Sequence, residues 1–303
     1  MKITKNNGES LLTAIIPIGR TGGNLDLLYS WLPEASNFSL RIILVHDVSD
    51  HDTGPLLREL IKEFKDLNLT LIEGKYGNPG QARNAGLELT TTNWIAFWDH
   101  DDKPILKSIF KSINESRIED EVLIGEFRVR NIMEDSLIEL FKVKTSFNSI
   151  SMNPGIWRMV FKNDLIHDSK FTNLRMGEDQ IFLSDIKLPD RTVRFVPEVF
   201  YEYTMGSANQ LTNNKSALLD LPLAAQYIYK HTTRNSSKAL KSFNMNLIIR
   251  QQLTLIKNGH ISLRIEAFRF LSKTLINPKI DLSWCSLKSI FTVLVNIKKF
   301  RLR

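Results

Sequence analysis

Asp99-His100-Asp101-Asp102 places three carboxylates within four residues, directly after the apolar run Trp94–Trp98. Like charges this close repel one another unless a cation or strong hydrogen-bond donors neutralise them. Oxygen ligands with no cysteine or paired histidine nearby suit a hard divalent ion, Mg2+ or Mn2+, which keeps open positions for phosphate oxygens. Asp99 and Asp101 are therefore the candidate metal ligands. Asp102 has a simpler reading: Lys103-Pro104 follows it, proline is favoured at the first helical position, and Asp102 is expected to cap that helix.

Two further clusters carry chemistry. Gly77-Asn78-Pro79-Gly80-Gln81-Ala82-Arg83-Asn84-Ala85-Gly86 is a Gly/Pro turn that opens a helix. Backbone N–H groups at such a start, with a guanidinium beside them, suit a phosphate; a solvated surface arginine is the plainer alternative. In Arg175-Met176-Gly177-Glu178-Asp179-Gln180-Ile181-Phe182 an acidic pair opens an apolar helix, with Phe182 and Ile186 expected on the buried side. Glu178 and Asp179 could be a proton acceptor and its neighbour, or two carboxylates that merely favour the helix dipole.

These clusters need a scaffold. Leu11–Ile18, Leu40–His46, Leu69–Glu73 and Trp94–Trp98 are short apolar runs typical of buried strands. Helical stretches lie between them at 24–32, 55–67 and 80–89, the middle one showing Leu56, Leu57, Leu60, Ile61, Phe64 and Leu67 at helical spacing. Such alternation implies βαβ units and a mostly parallel sheet, whose ligands bind beyond the carboxyl ends of the strands. Pro17-Ile18-Gly19-Arg20, His46-Asp47 and Asp99 through Asp102 all follow strands. Beyond about residue 205 the alternation stops, and helical patterns run over 216–231, 238–257 and 261–275.

The charge is split along the chain. Residues 1–203 hold 24 Lys and Arg against 30 Asp and Glu, a net of −6, whereas residues 204–303 hold 16 against 3, a net of +13. The acidic part should carry the chemistry, and the basic part should meet something anionic. From Leu287, apolar residues recur at Ile290, Phe291, Leu294 and Ile297, surrounded by Lys288, Lys298, Lys299, Arg301 and Arg303. That pattern suits an amphipathic helix on an anionic membrane surface, or equally one packed on the catalytic domain. Phe291 and Phe300 are too few for a stacking platform, so no nucleic acid is expected.

Other classes are excluded by what is missing. A single cysteine, Cys285, rules out a disulfide framework and a cysteine zinc site, and fits a reducing cytoplasm. The six histidines form no zinc-binding pair, and there is no Gly-x-Ser-x-Gly elbow, P-loop or dinucleotide fingerprint. The longest charge-free run near the C-terminus, Ser289–Ile297, has nine residues, against about 20 needed to span a bilayer. The early apolar stretch lacks a signal-peptide cleavage pattern and reads as a first strand.

Taken in order, these elements resemble the family 2 glycosyltransferases of the GT-A fold, of the bacterial polysaccharide type. The match runs over roughly residues 10–210: a strand ending in Ile-Pro, a strand ending near Asp47, Gly-x-x-x-Ala-Arg-Asn-x-Gly-Leu, then Asp-x-Asp-Asp after Trp-Ile-Ala-Phe-Trp. Trp157, Gly177-Glu178-Asp179 and Val199-Phe200-Tyr201-Glu202-Tyr203 through Ser207 complete it. The resemblance implies an α/β catalytic domain over 1–205, with a Rossmann-like, mostly parallel mixed sheet flanked by helices, and a basic helical extension over 206–303. It implies that Pro17, Ile18, Gly19 and Arg20 line a nucleotide pocket, that Asp47 binds uracil or another base, and that Gly80, Arg83 and Asn84 face the ribose-diphosphate. Asp99 and Asp101 would form the Asp-x-Asp motif around Mn2+ or Mg2+, with Asp101 the more direct ligand, Asp99 nearer the ribose or sugar, and His100 near the donor sugar. Asp179, with Glu178 beside it, would be the general base, and Trp157 would contact the acceptor.

The chain departs from the family pattern at His46 and Val48, where Asp and Gly are common. The implied reaction is inverting transfer from a nucleotide sugar, UDP foremost, to a hydroxyl of a glycan or lipid-linked glycan, at the inner face of a membrane. Acceptor choice is expected to lie in segments such as Glu126–Ser151. Two other classes stay open: a sugar nucleotidyltransferase, of which Arg20-Thr21-Gly22-Gly23-Asn24 is a faint echo, and a non-catalytic nucleotide- or carbohydrate-binding module.

Overall fold

The computed structural model describes residues 2–4, 10–131, 136–141, 146–206 and 215–276. Ser207 and the basic pattern after Leu287 lie outside these residues. The described chain forms two compact units: one from segments within 1–143, 155–173 and 192–210, the other from segments within 144–154, 174–191 and 211–303. The units interleave along the chain, whereas the sequence reading divides it by function at residue 205.

The first unit is built on a ten-stranded sheet. Its strands are β1 (Lys2–Thr4), β2 (Leu12–Ile18), β3 (Leu40–Asp47), β4 (Asn68–Gly74), β5 (Trp94–Phe97), β6 (Lys103–Pro104), β7 (Val122–Asn131), β8 (Ser136–Phe141), β9 (Met159–Lys162) and β10 (Val193–Met205). They run in the order β1-β4-β3-β2-β5-β9-β7-β10-β6, with β8 on β7. β4, β3, β2 and β5 are parallel, as are β7 and β10; β9 joins the two groups antiparallel to both neighbours. β2 and β5 are buried along their whole length, which is why they read as continuous apolar runs and not as alternating ones.

Helices α1 (Asp26–Ala35), α2 (Thr53–Glu63), α3 (Pro79–Leu87) and α4 (Leu106–Asn114) follow successive strands of this unit. α4 buries Leu106, Ile109, Phe110 and Ile113, the one-face spacing of an amphipathic helix. α2 is shorter than its apolar pattern predicts: Leu57, Leu60 and Ile61 are buried and Leu56 is exposed. Phe64 and Leu67 pack on the core from beyond its end. α3 lies so close to β2 that a Cβ on Gly86 would sit 2.4 Å from Ile15 Cγ2.

The second unit contains α5 (Phe147–Met152), α7 (Glu178–Asp185), α8 (Leu221–His231), α9 (Lys238–Asn258) and α10 (Ile261–Ile276); the short α6 (Asn163–Ile166) belongs to the first unit. Its core includes Leu218, Leu221, Met245, Ile249, Leu255, Leu263, Ala267 and Leu271, with Met176 packed against it. The helical character expected beyond residue 205 is present in α8, α9 and α10, and a 3-10 turn over Lys215–Asp220 replaces the first turn expected for α8. No helix among the described residues is long and apolar enough to cross a membrane.

Candidate active site

In the first unit, the carboxyl ends of β2, β3, β4 and β5 and the start of α3 carry most of the expected residues. β2 ends in Pro17 and Ile18, both buried; the Ile18 side chain belongs to the core, and the residue lies in register with His46 of β3. Gly19 lies against Asp47, its missing Cβ 3.5 Å from Asp47 Cβ. Arg20 is exposed in the left-handed backbone region at φ 57°. The turn after it closes on Thr21, whose N–H donates to Asp50 Oδ2 at 2.7 Å and whose hydroxyl accepts from Gly23 N–H and pairs with Thr53.

Asp47 organises two loops. Its Oδ1 accepts from the N–H and hydroxyl of Ser49, at 3.0 and 2.7 Å, and its Oδ2 accepts from the N–H groups of Tyr76 and Gly77, at 3.2 and 2.6 Å. Burial alone would raise its pKa, but these donors outweigh burial and hold the carboxyl below the ordinary carboxylate range. Four donors occupy a group with about four acceptor positions. Asp47 therefore ties the two loops together, and any ligand contact to it would exchange with one of these bonds. His46, where the family pattern has Asp, is buried; its Nε2 pairs with the Asp50 carbonyl at 3.0 Å and its Nδ1 lies 3.5 Å from Glu73 Oε1.

The turn into α3 is capped by Asn78, whose Oδ1 accepts from Gln81 N–H at 2.9 Å, with Pro79 and buried Gly80 opening the helix. Arg83 is not a solvated surface residue. It is 5% exposed, its Nη2 donates to Asp99 Oδ1 at 2.9 Å, and its guanidinium lies 5.5 Å from the Phe171 ring centroid. Asn84 is fastened to Phe171: its Nδ2 donates to the Phe171 carbonyl at 2.9 Å and its Oδ1 accepts the Phe171 N–H at 2.7 Å. This reciprocal bond uses one of the two N–H donors and one of the two acceptor lone pairs of the amide, and it holds Phe171 beneath Arg83.

Beyond β5 and Trp98, residues Asp99 to Asp102 divide by burial. Asp99 is partly exposed and bound to Arg83, and its N–H donates to the Tyr201 hydroxyl at 2.9 Å. His100 and Asp101 are half-buried, and Asp102 is buried. Burial pushes the Asp101 carboxyl above its ordinary pKa; His100 opposes this and the charge of Asp99 reinforces it. Asp102 does not cap a helix. Lys103 and Pro104 form β6, paired with Glu202 and Tyr201 of β10, and α4 begins only at Leu106. Asp102 Oδ1 instead accepts the Thr204 N–H at 2.6 Å, which ties this turn to β10. Burial, and then the charges of Asp101 and Asp99, push its carboxyl well above the ordinary range.

The charge of Asp99 adds to the upward shift of both Asp101 and Asp102, and such an oxygen-only set is one that a hard divalent ion would relieve. The residues therefore fit Mn2+ or Mg2+ held by Asp101 with Asp99, although no group of three or more potential ligands comes together among the described residues.

Behind this turn stands an aromatic wall. Trp157 stacks on Tyr201 and Tyr203, with centroids 4.8 and 5.6 Å away, and meets Phe127 edge-on at 4.7 Å. It is half-buried, so part of the indole remains accessible. The sequence reading gives no site role to Phe171, and it places Tyr201 and Thr204 only within the closing strand. Alternation in Phe200-Tyr201-Glu202-Tyr203 could have marked Tyr201; nothing local marks Phe171.

In the second unit, Glu178 and Asp179 form the first turn of α7, after Gly177 in the left-handed region at φ 89°. Glu178 is 6% exposed, whereas Asp179 is half-buried and its Oδ1 accepts the Gln180 N–H at 2.8 Å. Phe182 and Ile186 are buried as expected. Of the acidic pair, Asp179 is the accessible member.

Comparison with known proteins bears on the family and the fold. Residues 28–176 match the family described as glycosyl transferase family 2. Glycosyltransferase GlyA of Streptococcus pneumoniae is 23% identical over 243 residues, covering 70% of this chain and 34% of its own length, so the chain spans about a third of that relative. The uncharacterised glycosyltransferase YibD of Escherichia coli is 19% identical over 94% of this chain and 86% of its own. Among solved structures, residues 1–349 of S. aureus TarS in complex with UDP-GlcNAc superpose with a TM-score of 0.65 at 17% identity, covering 86% of this chain and 80% of that one. The mannosyltransferase PcManGT of Pyrobaculum calidifontis, in complex with GDP-Man and Mn2+, gives 0.55 at 14% identity over 95% and 87%. The GT-A fold with its helical C-terminal region is thereby shown.

Proposed function

The chain carries a glycosyl transferase family 2 domain at residues 28–176, and from that premise we propose that the protein transfers a sugar from a nucleotide-diphospho-sugar to a hydroxyl of a glycan or lipid-linked glycan, inverting the anomeric carbon. The observation that carries the reading is the carboxylate turn after β5, next to the strand ends where parallel sheets bind ligands. UDP is the donor nucleotide we favour. UDP-GlcNAc and GDP-Man in the two solved relatives support the donor class.

Asp99 and Asp101 would hold Mn2+ or Mg2+, which when bound supplies positive charge against the leaving diphosphate. Arg83 fixes Asp99, and Tyr201 fixes the backbone of the same turn, so these side chains need little rearrangement when the donor arrives. Asp47, Gly19 and the Thr21 turn shape the nucleotide end, Arg20 and His100 offer accessible polar groups to the donor, and Trp157 offers an aromatic face to the acceptor. Asp179 takes the proton of the acceptor hydroxyl. That oxygen bonds to the anomeric carbon, the bond from carbon to the diphosphate oxygen breaks, and its electron pair leaves with the nucleoside diphosphate. With a single base and no carboxylate assigned to attack the carbon, the displacement occurs once and the configuration inverts. General-base assistance is worth about 10² to 10⁴-fold.

A location on an anionic membrane surface belongs to the proposal as well. α10 leaves Ile261, Ile265 and Phe268 exposed at i, i+4 and i+7, with Arg269 and Lys273 close by on the same helix, and the remaining residues to 303 are strongly basic. Salt-sensitive binding to vesicles containing an anionic lipid, lost on truncation after Asp281, would support it; indifference to such vesicles at low salt would remove it.

Isothermal titration with UDP and GDP tests the donor site. Binding should require Mn2+ or Mg2+ and disappear in Asp101→Ala. Equal binding with a chelator present would contradict the metal role.

A further inference from the structure

Arg175 lies three residues before Glu178 and makes an unusually complete set of bonds within the second unit. Its N–H and Nε donate to Asp220 Oδ2 at 2.7 and 3.0 Å, and its Nη2 donates to Asp220 Oδ1 at 2.9 Å. Nη1 reaches the Ser216 hydroxyl at 3.2 Å, and Nη2 also reaches the Ser216 carbonyl at 3.0 Å. Asp220 stands at the N-cap of α8, where an aspartate ordinarily accepts from its own helix, yet it makes no such bond. Its carboxylate is given to Arg175 in a two-pronged pair, the geometry that fixes direction as well as distance.

The chain between this pair and α7 has little slack. Met176 packs on the unit's core, and Gly177 is buried in the left-handed region, where a Cβ would lie 2.8 Å from the Cβ of Ala224 on α8. Within the first turn of α7, buried Gln180 accepts from Gln251 of α9 at 3.1 Å. Among these contacts at the start of α7, the Arg175–Asp220 pair is the ion pair, and it is partly exposed, at 36% and 13% of the side chains.

We propose that Arg175 is a positioning residue, whose fork on Asp220 holds the first turn of α7 so that Asp179 presents its carboxylate to the acceptor hydroxyl. The inference rests on the assignment of Asp179 as the base. Misplacing a catalytic group by about 1 Å costs on the order of 10²-fold, so a loosened turn should slow chemistry and spare donor binding.

The test is a cycle of variants in the full chain: Arg175→Ala, Arg175→Lys, Asp220→Ala, Asp179→Asn, and Arg175→Ala combined with each of the last two. Arg175→Ala and Asp220→Ala should each lower kcat by about 10- to 100-fold with donor KM and UDP affinity unchanged, and together should do no more than either alone. Arg175→Lys should recover only part, because the charge returns without the fork. In the Asp179→Asn background, Arg175→Ala should cost nothing further. Wild-type kcat in the Arg175 variants, or a further loss on top of Asp179→Asn, would overturn the positioning role while leaving the base assignment standing. Full activity of Asp179→Asn would overturn the base assignment and this inference with it. If Arg175→Ala fails to fold, Arg175→Lys and Asp220→Ala carry the same comparison.

Discussion

The two acidic motifs, three carboxylates in Asp99 to Asp102 of the first unit and two in Glu178-Asp179 of the second, are divided alike in structure. Each contains a buried carboxylate, Asp102 or Glu178, and a more accessible one, Asp101 or Asp179. Asp102 spends an oxygen on the Thr204 N–H and joins its turn to β10. Asp101 sits half-buried beside it. A dense acidic motif therefore overstates its own chemistry: part of it builds the turn that presents the rest.

The largest expected effect comes from separating these roles in the first motif. Asp101→Ala should reduce transfer below detection while thermal unfolding stays close to wild type. Asp179→Asn should follow, with kcat lower by about 10² to 10⁴-fold and donor affinity kept; parallel loss of nucleotide binding would mean that the turn, not the proton, had been damaged.

Asp102→Ala should break the comparison in the opposite sense. It leaves the Thr204 N–H buried without its acceptor, at about 1–3 kcal/mol, so a lowered Tm should precede any change in kcat. If Asp102→Ala proves as stable as wild type, the division by burial is wrong. Gly86→Ala should destabilise by a similar amount, about 1–3 kcal/mol from overpacking, because its Cβ would meet Ile15 at 2.4 Å.

The smallest effect concerns acid. Burial would raise the pKa of Asp220, but the guanidinium and N–H of Arg175 hold it below the ordinary carboxylate value. A depressed carboxyl contributes stability above its unfolded pKa, about 4, and loses it as the pH falls through the folded value. Chemical denaturation of wild type and Asp220→Asn should show a stability gap at pH 6 that closes below about pH 4.

Much of this was legible in the residues. Continuous apolar runs gave β2, β3, β4 and β5 within a residue or two, because strands covered on both faces carry no polar alternation. Spacing alone placed α9 and α10. The Asp102 cap failed because Pro104 suits an edge strand as well as a helix start, and only the return of β10 some hundred residues later decides between them. The bond from Asn84 to Phe171, 87 residues away, has no local signal either. Local patterns cannot report partners brought by topology, and Arg175 with Asp220 is a case of the same kind.

The central claim is met most directly by incubating the full-length protein with a panel of nucleotide sugars, UDP- and GDP-linked among them, in the presence of Mn2+ and following free nucleoside diphosphate. The account predicts that at least one donor releases nucleoside diphosphate, slowly without acceptor, and that Asp101→Ala abolishes the release. Formation of nucleoside triphosphate on adding pyrophosphate, with no diphosphate released from any donor, would contradict it and identify a nucleotidyltransferase instead.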